Sequence, residues 1–239
     1  AELVEKHVNI NRLLELTKPV ATAVVPISAG RHIYKREPSF PIAVACDPAF
    51  NFVYEANIRY LHHLGEVTYF SPLADTSLPD AGFVYLPGGY PELYLAALSA
   101  NRQMLQSIRR YVESGGKLLA ECGGMMYLCD EIRDKNGYVY PMAGVLHQSA
   151  TMENMKLRLG YRTLLYNETR LKGHEFHYSR LVEQQNPLPS CAVAYTAKGV
   201  ETDTPLYHYK NVWAGYTHLY WADPVGNEWF TKFVIDGNI

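Results

Sequence analysis

The sequence lacks the features that would place it at a membrane or on a nucleic acid. No apolar run approaches the roughly 18 residues that a membrane span needs, and no Lys/Arg cluster stands out at a net charge of −2. The first residues, Ala-Glu-Leu-Val-Glu, show no basic and then apolar signal pattern. We therefore expect a cytoplasmic protein with no membrane and no nucleic-acid partner.

Cysteine is scarce, and the sequence lacks both a metal-binding CxxC spacing and a nucleotide-binding P-loop. The four cysteines, Cys46, Cys122, Cys129 and Cys191, show no CxxC spacing, so neither a zinc site nor a disulfide framework is predicted. No GxxxxGK followed by Ser or Thr occurs, which excludes a P-loop for ATP. We expect no metal and no cofactor in this domain.

The composition is that of an ordinary globular domain, with 48% hydrophobic and 19% charged residues. Residues 1–40 differ from the rest: a short helix over Val8–Leu16, with Asn9 or Asn11 as its cap, precedes a linker-like stretch. This segment is too small to bury a core of its own. We predict that 1–40 is the tail of a larger neighbour and that 41–239 forms one domain.

From Pro41 onward, buried strand candidates alternate with helix-compatible segments. Strands are predicted at 42–45, 67–70, 83–86 and 117–121, and helices at 51–64, 103–113 and 123–129. Such alternation predicts a mainly parallel α/β sheet that is covered on both faces. Period-two patterns at 157–165 and 212–220 predict additional, partly antiparallel strands.

Cys122 stands where a predicted buried strand turns into a helix, followed by Gly123 and Gly124. Reactive groups in open α/β sheets gather beyond the carboxyl ends of the strands. The free N–H groups and partial positive charge of a helix N-terminus favour a thiolate. Most lone cysteines are small buried hydrophobes, but this position favours a nucleophile at Cys122.

A second glycine pair, Gly88-Gly89, follows the predicted strand 83–86. Adjacent glycines can direct backbone N–H groups at a developing oxyanion, together with the N–H of Gly123. A single Pro-Gly-Gly turn is usually only a loop. Two such turns at neighbouring strand ends predict an oxyanion hole.

Four stretches resemble the class I glutamine amidotransferases, and more narrowly the C-terminal glutaminase domain of the cobyrinic acid a,c-diamide synthase family. The resemblance covers about residues 41–225 and rests on LPGGYPE (86–92), AECGGMMYL (120–128), GHEFHYS (173–179) and YTHLY (216–220). It implies a flavodoxin-like, doubly wound, mainly parallel sheet with added antiparallel strands.

The resemblance also implies a reaction and a set of residues. Cys122 would attack the side-chain amide of glutamine, with His218 as its base and Gly88, Gly89 and Gly123 as the oxyanion hole. His177, Tyr178 and Ser179 would line the glutamine pocket. The ammonia would amidate the a- and c-acetate groups of cobyrinic acid after ATP and Mg activate them. The corrinoid, ATP and Mg would bind only in an N-terminal synthetase half that this sequence lacks.

The sequence departs from the general class at the triad acid, because Tyr220 stands two residues after His218, where many members place Glu. We predict Glu175 as the substitute that orients His218, with Glu92 as the second choice. His177 is the alternative base, although a structural or substrate-lining role fits it better, and His174 would act indirectly. The i, i+1, i+3 spacing of His174, Glu175 and His177 on a strand argues against a shared metal.

Three alternatives stay open at the level of sequence. The glutaminase could serve a nickel-sirohydrochlorin a,c-diamide synthase or a cobyric acid synthase, because the substrate choice would lie in the absent half. The domain could also be a catalytically silent binding or regulatory module. A cysteine peptidase-like relative on the same fold is the third alternative, since a fold alone does not fix function.

Overall fold

The computed structural model describes residues 6–17 and 40–236. The chain divides into two units, Ala1–Glu37 and Pro38–Ile239. In the first unit, helix α1 (Ile10–Leu16) has Asn9 as its cap, whose side chain accepts a hydrogen bond from the Arg12 N–H at 2.9 Å. The predicted linker lies outside the described residues, and its assignment to a synthetase tail stays a prediction.

The second unit contains strands and helices in the predicted alternation. The helices are α2 (Glu55–Leu64), α3 (Leu95–Ala100), α4 (Arg102–Glu113), α5 (Gly123–Leu128) and α6 (Pro224–Thr231), with a 3₁₀ turn at Pro91–Leu93 and a π turn at Lys232–Asp236. The strands are β1 (Pro41–Ala45), β2 (Glu66–Phe70), β3 (Phe83–Leu86), β4 (Lys117–Glu121), β5 (Glu131–Arg133), β6 (Val139–Pro141), β7 (Ser149–Thr151), β8 (Arg158–Tyr166), β9 (Thr169–His177), β10 (Arg180–Leu181), β11 (Val193–Thr196), β12 (Glu201–Thr202), β13 (Leu206–Tyr209), β14 (Val212–Gly215) and β15 (His218–Leu219).

The central sheet has the order β13-β14-β4-β3-β1-β2. All neighbours pair in parallel except the edge strand β13, which is antiparallel to β14. Reading from β2 to β14, the parallel strands follow the flavodoxin-like order 2-1-3-4-5. The predicted α/β class and doubly wound fold are confirmed. In such sheets, ligands bind beyond the carboxyl ends of the strands.

Alternate residues of the parallel strands face two separate apolar cores. Val84 and Ala120 point toward one face, where α4 and α5 cover them, while Phe83 and Leu119 point toward the other, where α2 and α6 pack. Both faces of the sheet are buried, which explains why these strands are continuous apolar runs in the sequence. The sheet therefore holds its strand ends rigidly from both sides.

Two smaller sheets accompany the central sheet. One has the order β10-β7-β5-β6, and the other has the order β12-β11-β8-β9-β15. The antiparallel prediction for 157–165 is correct, since β8 pairs with β9. The prediction of partly antiparallel strands over 212–220 is also confirmed: β14 is parallel to β4 but antiparallel to β13, and β15 is antiparallel to β9. Among the described residues, every helix is too short or too polar to span a bilayer.

Candidate active site

Cys122 occupies a strained turn between β4 and α5. Its backbone has φ 49° and ψ −107°, a region that side chains rarely adopt and that costs on the order of 1–3 kcal/mol. Two hydrogen bonds hold this turn: the Cys122 N–H donates to the Gly215 carbonyl at 2.7 Å, and the Met126 N–H donates to the Cys122 carbonyl at 3.0 Å. The sulfur thus lies at the carboxyl edge of the sheet, as predicted from the sequence.

The thiol of Cys122 is buried, with only 4% of the residue exposed. Burial, together with the smaller effect of the Glu92 charge, raises its pKa to about 12, although the N–H of Gly123 acts in the lowering direction. Burial therefore opposes the thiolate that the helix N-terminus was expected to favour. Desolvation of the charged form outweighs one backbone dipole.

Gly88 and Gly123 are required by close contacts around this turn. A Cβ on Gly88 would lie 2.1 Å from Cε1 of His218. A Cβ on Gly123 would lie 2.7 Å from Cδ of Pro91 and 3.2 Å from the backbone nitrogen of Gly89. The two glycine turns predicted from the sequence therefore lie against each other, beside Cys122.

The Gly88-Gly89 turn is fixed by the loop that follows β1. The Phe52 N–H donates to the Gly88 carbonyl, and the Tyr90 N–H donates to the Ala49 carbonyl, both at 3.0 Å. The N–H of Gly123 opens α5 and has no intrahelical acceptor. These glycines can therefore present backbone donors to a ligand on Cys122, as an oxyanion hole requires.

Cys122 opens into a cavity of about 280 Å³ that also holds His218. A narrow cleft adjoins it, and Gly89, Tyr90, Cys122 and Phe176 line both spaces. The cavity is lined by Phe52, Gly89, Tyr90, Cys122, His174, Phe176 and His218, and the cleft by Gly89, Tyr90, Glu92, Cys122, Met126, Phe176, His177, Tyr178 and Ser179. A larger cavity of about 350 Å³ shares only His177 and Ser179 with the cleft and does not reach the sulfur.

His218 lies on β15 and is packed between aromatic rings. Its ring centroid is 4.4 Å from that of Phe52 and 5.1 Å from that of His174, on which it stacks. Burial lowers the pKa of His218 to about 3, with smaller contributions from His174 and His177. The imidazole is therefore neutral near pH 7, which is the form that accepts a proton.

The carboxylate beside His218 is Glu121, which sequence reasoning missed. Its Oε2 lies 4.0 Å from Nδ1 of His218, an atom with no hydrogen-bond partner among the described residues. Oε2 also accepts a hydrogen bond from the Tyr85 hydroxyl at 2.7 Å, and Oε1 accepts one from the Leu219 N–H at 3.0 Å. Burial raises the pKa of Glu121 to about 8. A lone carboxyl that ends an apolar strand was the available signal.

The prediction that Glu175 orients His218 is wrong in this structure. Register pairs His218 with His174 across β15 and β9, so the next residue, Glu175, points to the opposite face. Its carboxylate instead lies 2.6 Å from Nη2 of Arg162, and both groups are buried. Glu175 therefore balances a buried arginine.

The predicted substrate-lining residues all border the cleft beside Cys122. The ring of His177 stacks on that of Tyr216, with the two ring centroids 3.8 Å apart. Its Nδ1 lies 2.9 Å from the Ser179 carbonyl oxygen. The Ser179 hydroxyl lies 3.2 Å from the hydroxyl of Tyr216. These contacts hold His177 as a wall of the cleft, while His218 lies in the cavity with the sulfur. No cluster of metal-ligating side chains occurs within residues 6–17 and 40–236.

Residues 41–225 match the CobB/CobQ-like glutamine amidotransferase domain, which is more than half of the chain. The chain belongs to the CobB/CobQ-like glutamine amidotransferase family. It is 40% identical over 185 residues to the hydrogenobyrinate a,c-diamide synthase of Pseudomonas aeruginosa, covering 75% of this chain and 41% of that protein. It is 36% identical over 245 residues to the cobyrinate a,c-diamide synthase of Clostridium acetobutylicum, covering 98% and 53%. The chain thus spans about half the length of these relatives.

Solved structures share the fold. PurLQS from Thermotoga maritima superimposes with a TM-score of 0.53 at 17% identity, over 83% of this chain and 96% of that chain. A structure of a glutamine amidotransferase gives a TM-score of 0.53 at 17% identity, over 81% and 98%. The predicted resemblance and the enzyme class, a glutamine amidotransferase, are confirmed at this level.

Proposed function

We propose that this chain is the glutaminase domain of an ATP-dependent corrinoid amidotransferase, with Cys122 as the nucleophile and His218 as the base. One observation supports this most strongly. Cys122 sits on a strained strand-to-helix turn and opens into one cavity with a neutral, buried imidazole and a glycine turn. Family membership supplies the substrate class, glutamine.

The proposed first half-reaction transfers the acyl group of glutamine to sulfur. Sγ of Cys122 attacks the side-chain amide carbon while its proton passes to His218, because the thiol is protonated at rest. The negative charge collects on the amide oxygen, where the N–H groups of Gly89 and Gly123 stabilise it. The C–N bond then breaks, and the imidazolium returns the proton to the leaving nitrogen, which departs as ammonia.

The second half-reaction frees the enzyme. Neutral His218 takes a proton from water, and the resulting hydroxide attacks the thioester carbonyl carbon. The C–S bond breaks, glutamate leaves, and Cys122 recovers its proton from the imidazolium.

Glu121 takes the role of the usual triad acid. Its carboxylate balances the charge of His218 during each proton transfer and, through the Leu219 N–H, fixes the backbone that carries the ring. Burial raises the pKa of Glu121 to about 8, and the ionised carboxylate is the form that stabilises the imidazolium, since opposite charges stabilise each other.

The ammonia would be used by a synthetase half that binds ATP and Mg and activates carboxylates, since a carboxylate does not react with ammonia. The relatives are named for a,c-diamide synthesis on cobyrinate or hydrogenobyrinate. We infer the same products for the whole protein, through amidation of the a- and c-acetate groups of cobyrinic acid. Glutamine, the synthetase half and the corrinoid are then its partners, in the cytoplasm.

The test is release of glutamate from glutamine by the purified chain. Wild type should turn over slowly, and Cys122→Ser should abolish turnover while keeping the fold by circular dichroism. The electrophile 6-diazo-5-oxo-L-norleucine, a glutamine mimic, should label Cys122 and leave Cys46 unlabelled. Cys46→Ser is the matched control, because this exposed cysteine lies outside the cavity.

Two results would contradict the proposal. One is wild type that stays inactive and unlabelled even when a synthetase half is supplied, as a silent binding module would. The other is labelling at a cysteine other than Cys122.

A further inference from the structure

Glu92 is a carboxylate next to the nucleophile that the reaction above leaves without a role. It lies in the 3₁₀ turn Pro91–Leu93, directly after the Gly88-Gly89 turn. Its side chain is half-buried and borders the narrow cleft beside Cys122, with His177 and Ser179 on the other walls. The lining of the cleft thus includes a carboxylate.

No cation within the described residues pairs with Glu92. Every described ion pair joins other side chains; Arg158, for example, is held by Asp203, and Arg162 by Glu175. The group that acts to lower the pKa of this carboxyl is the backbone of Glu92 itself. An unpaired carboxylate that is partly withdrawn from water is unfavourable unless a cation joins it.

The position of Glu92 is also unfavourable for the resting nucleophile. Burial raises the pKa of Glu92, and its negative charge in turn raises the pKa of Cys122. A carboxylate that opposes formation of the thiolate would weaken the site if it stayed unpaired during catalysis. The arrangement becomes favourable once a ligand brings a positive charge into the cleft.

We propose that Glu92 binds the α-ammonium group of the glutamine whose amide Cys122 attacks, an assignment that rests on the proposed function. With the amide carbon at Sγ, the short aliphatic chain of glutamine extends along the cleft and brings its ammonium group to the Glu92 carboxylate. A charge-assisted hydrogen bond forms there. Glutamine then neutralises Glu92, so the substrate itself removes part of the electrostatic penalty on the sulfur.

The kinetic test compares glutamine with 4-carbamoylbutanoate, which is the same molecule without the α-ammonium group. Glu92→Gln should lower kcat/KM for glutamine roughly 10- to 100-fold, as expected for loss of a hydrogen bond to a charged group. It should leave kcat/KM for 4-carbamoylbutanoate unchanged or raise it, because this substrate has no ammonium group to pair with Glu92 and the charge that opposes the thiolate is gone. The matched control is Glu183→Gln, because Glu183 borders the larger cavity and not the cleft. This variant should have the wild-type kcat/KM for both substrates.

A second measurement needs no turnover. Glu92→Gln should slow labelling of Cys122 by 6-diazo-5-oxo-L-norleucine, which carries an α-ammonium group, by about the same factor. It should speed alkylation of Cys122 by iodoacetamide, which carries none, because the charge that opposes the thiolate is gone.

The outcomes separate the two proposals. Equal losses for both substrates, or slower labelling by both electrophiles, would show that Glu92 is structural and would overturn the inference. Unchanged glutamine kinetics in Glu92→Gln would overturn it as well. Failure of wild type to react with the glutamine mimic, while iodoacetamide still reaches Cys122, would refute glutamine recognition itself.

Discussion

At the scale of single residues, the acid is the least conventional part of the site. Glu121 directly precedes the nucleophile in sequence. Strand alternation nevertheless directs its side chain toward His218, on the face of the sheet opposite to α5. Its two oxygens serve a tyrosine hydroxyl and a backbone N–H, so it connects β3, β4 and β15. It is placed both to set the position of His218 and to balance its charge.

Replacing the acid tests this role. Glu121→Gln should lower kcat about 10²-fold with little change in KM, since general acid–base steps contribute 10²- to 10⁴-fold and the glutamine cleft is untouched. Steady-state glutaminase assays measure this split. Glu131→Gln, whose carboxyl pairs with Arg133 on β5, is the matched control and should match wild type. A rise in KM at constant kcat would contradict a positioning role.

The pH profile gives an independent prediction. Burial raises the pKa of Glu121 to about 8 and lowers that of His218 to about 3. As the pH falls through about 8, Glu121 gains a proton and stops stabilising the imidazolium, so kcat/KM should decline there. Glu121→Gln should be less active but flat between pH 6 and about 8, because His218 stays neutral throughout. An acid limb near the ordinary histidine pKa of about 6.5 in both proteins would contradict this assignment.

At the scale of elements, α2 fixes the strand that carries the base. Asn57 is fully buried on α2; its Nδ2 donates to the Leu219 carbonyl at 2.8 Å, and its Oδ1 accepts from the Trp221 N–H at 2.9 Å. A two-residue strand such as β15 has little ladder of its own. The side chain of one helical residue therefore replaces the missing strand pairing on both sides of Tyr220.

Removing this amide should loosen the base. Asn57→Ala leaves a buried carbonyl and a buried N–H unpaired, at about 1–3 kcal/mol each, so the free energy of unfolding should fall by roughly 2–6 kcal/mol. The glutaminase kcat should fall as well, because His218 lies next to the released backbone. Urea denaturation and glutaminase assays measure the two effects. The control is His62→Ala, on the exposed side of the same helix, which should change the free energy of unfolding by less than about 0.5 kcal/mol. An unchanged kcat in Asn57→Ala would contradict the role of α2 in positioning His218.

The elements differ in how well the sequence predicts them, for a physical reason. β3 (Phe83–Leu86) and β4 (Lys117–Glu121) were predicted with their observed bounds, because strands buried on both faces are continuous apolar runs between turn residues. Helix α6 was missed because it has only eight residues, although Asp223 as its cap and Pro224 at its first position are helix-start signals. β14 was predicted only as one of the additional, partly antiparallel strands, because its central place beside β4 depends on long-range pairing that no local pattern contains.

The site shows the same division. Cys122, His218 and Gly89 were identified from motifs, and the structure brings them into one cavity. Glu175 was chosen as the acid from its place in a motif, although register turns it away from His218. Which carboxylate approaches an imidazole depends on the packing of three strands, and neither composition nor spacing contains that information.

At the scale of the whole molecule, the sheet separates two cores that do not share side chains. Leu61 on α2 belongs to one core and Ile108 on α4 to the other, and both are completely buried. Disturbance in one core reaches the other only through the strands. The active-site edge therefore depends on both cores.

This separation predicts additive stability effects. Leu61→Ala and Ile108→Ala should each lower the free energy of unfolding by about 2–5 kcal/mol. The double variant should lose the sum within about 0.5 kcal/mol, as expected for sites without shared partners. Denaturant unfolding of the four proteins gives the coupling. A coupling well above that margin would mean that the two faces repack together.

The left-handed backbone at Cys122 sets activity against stability at a single position. Any residue with a side chain is strained there, and glycine is the one replacement that relieves the strain. A lineage with no further use for ammonia would therefore gain stability by exchanging its nucleophile for glycine. Inactive descendants of this fold should then keep the turn, both cores and the empty cleft, with glycine marking where the cysteine stood.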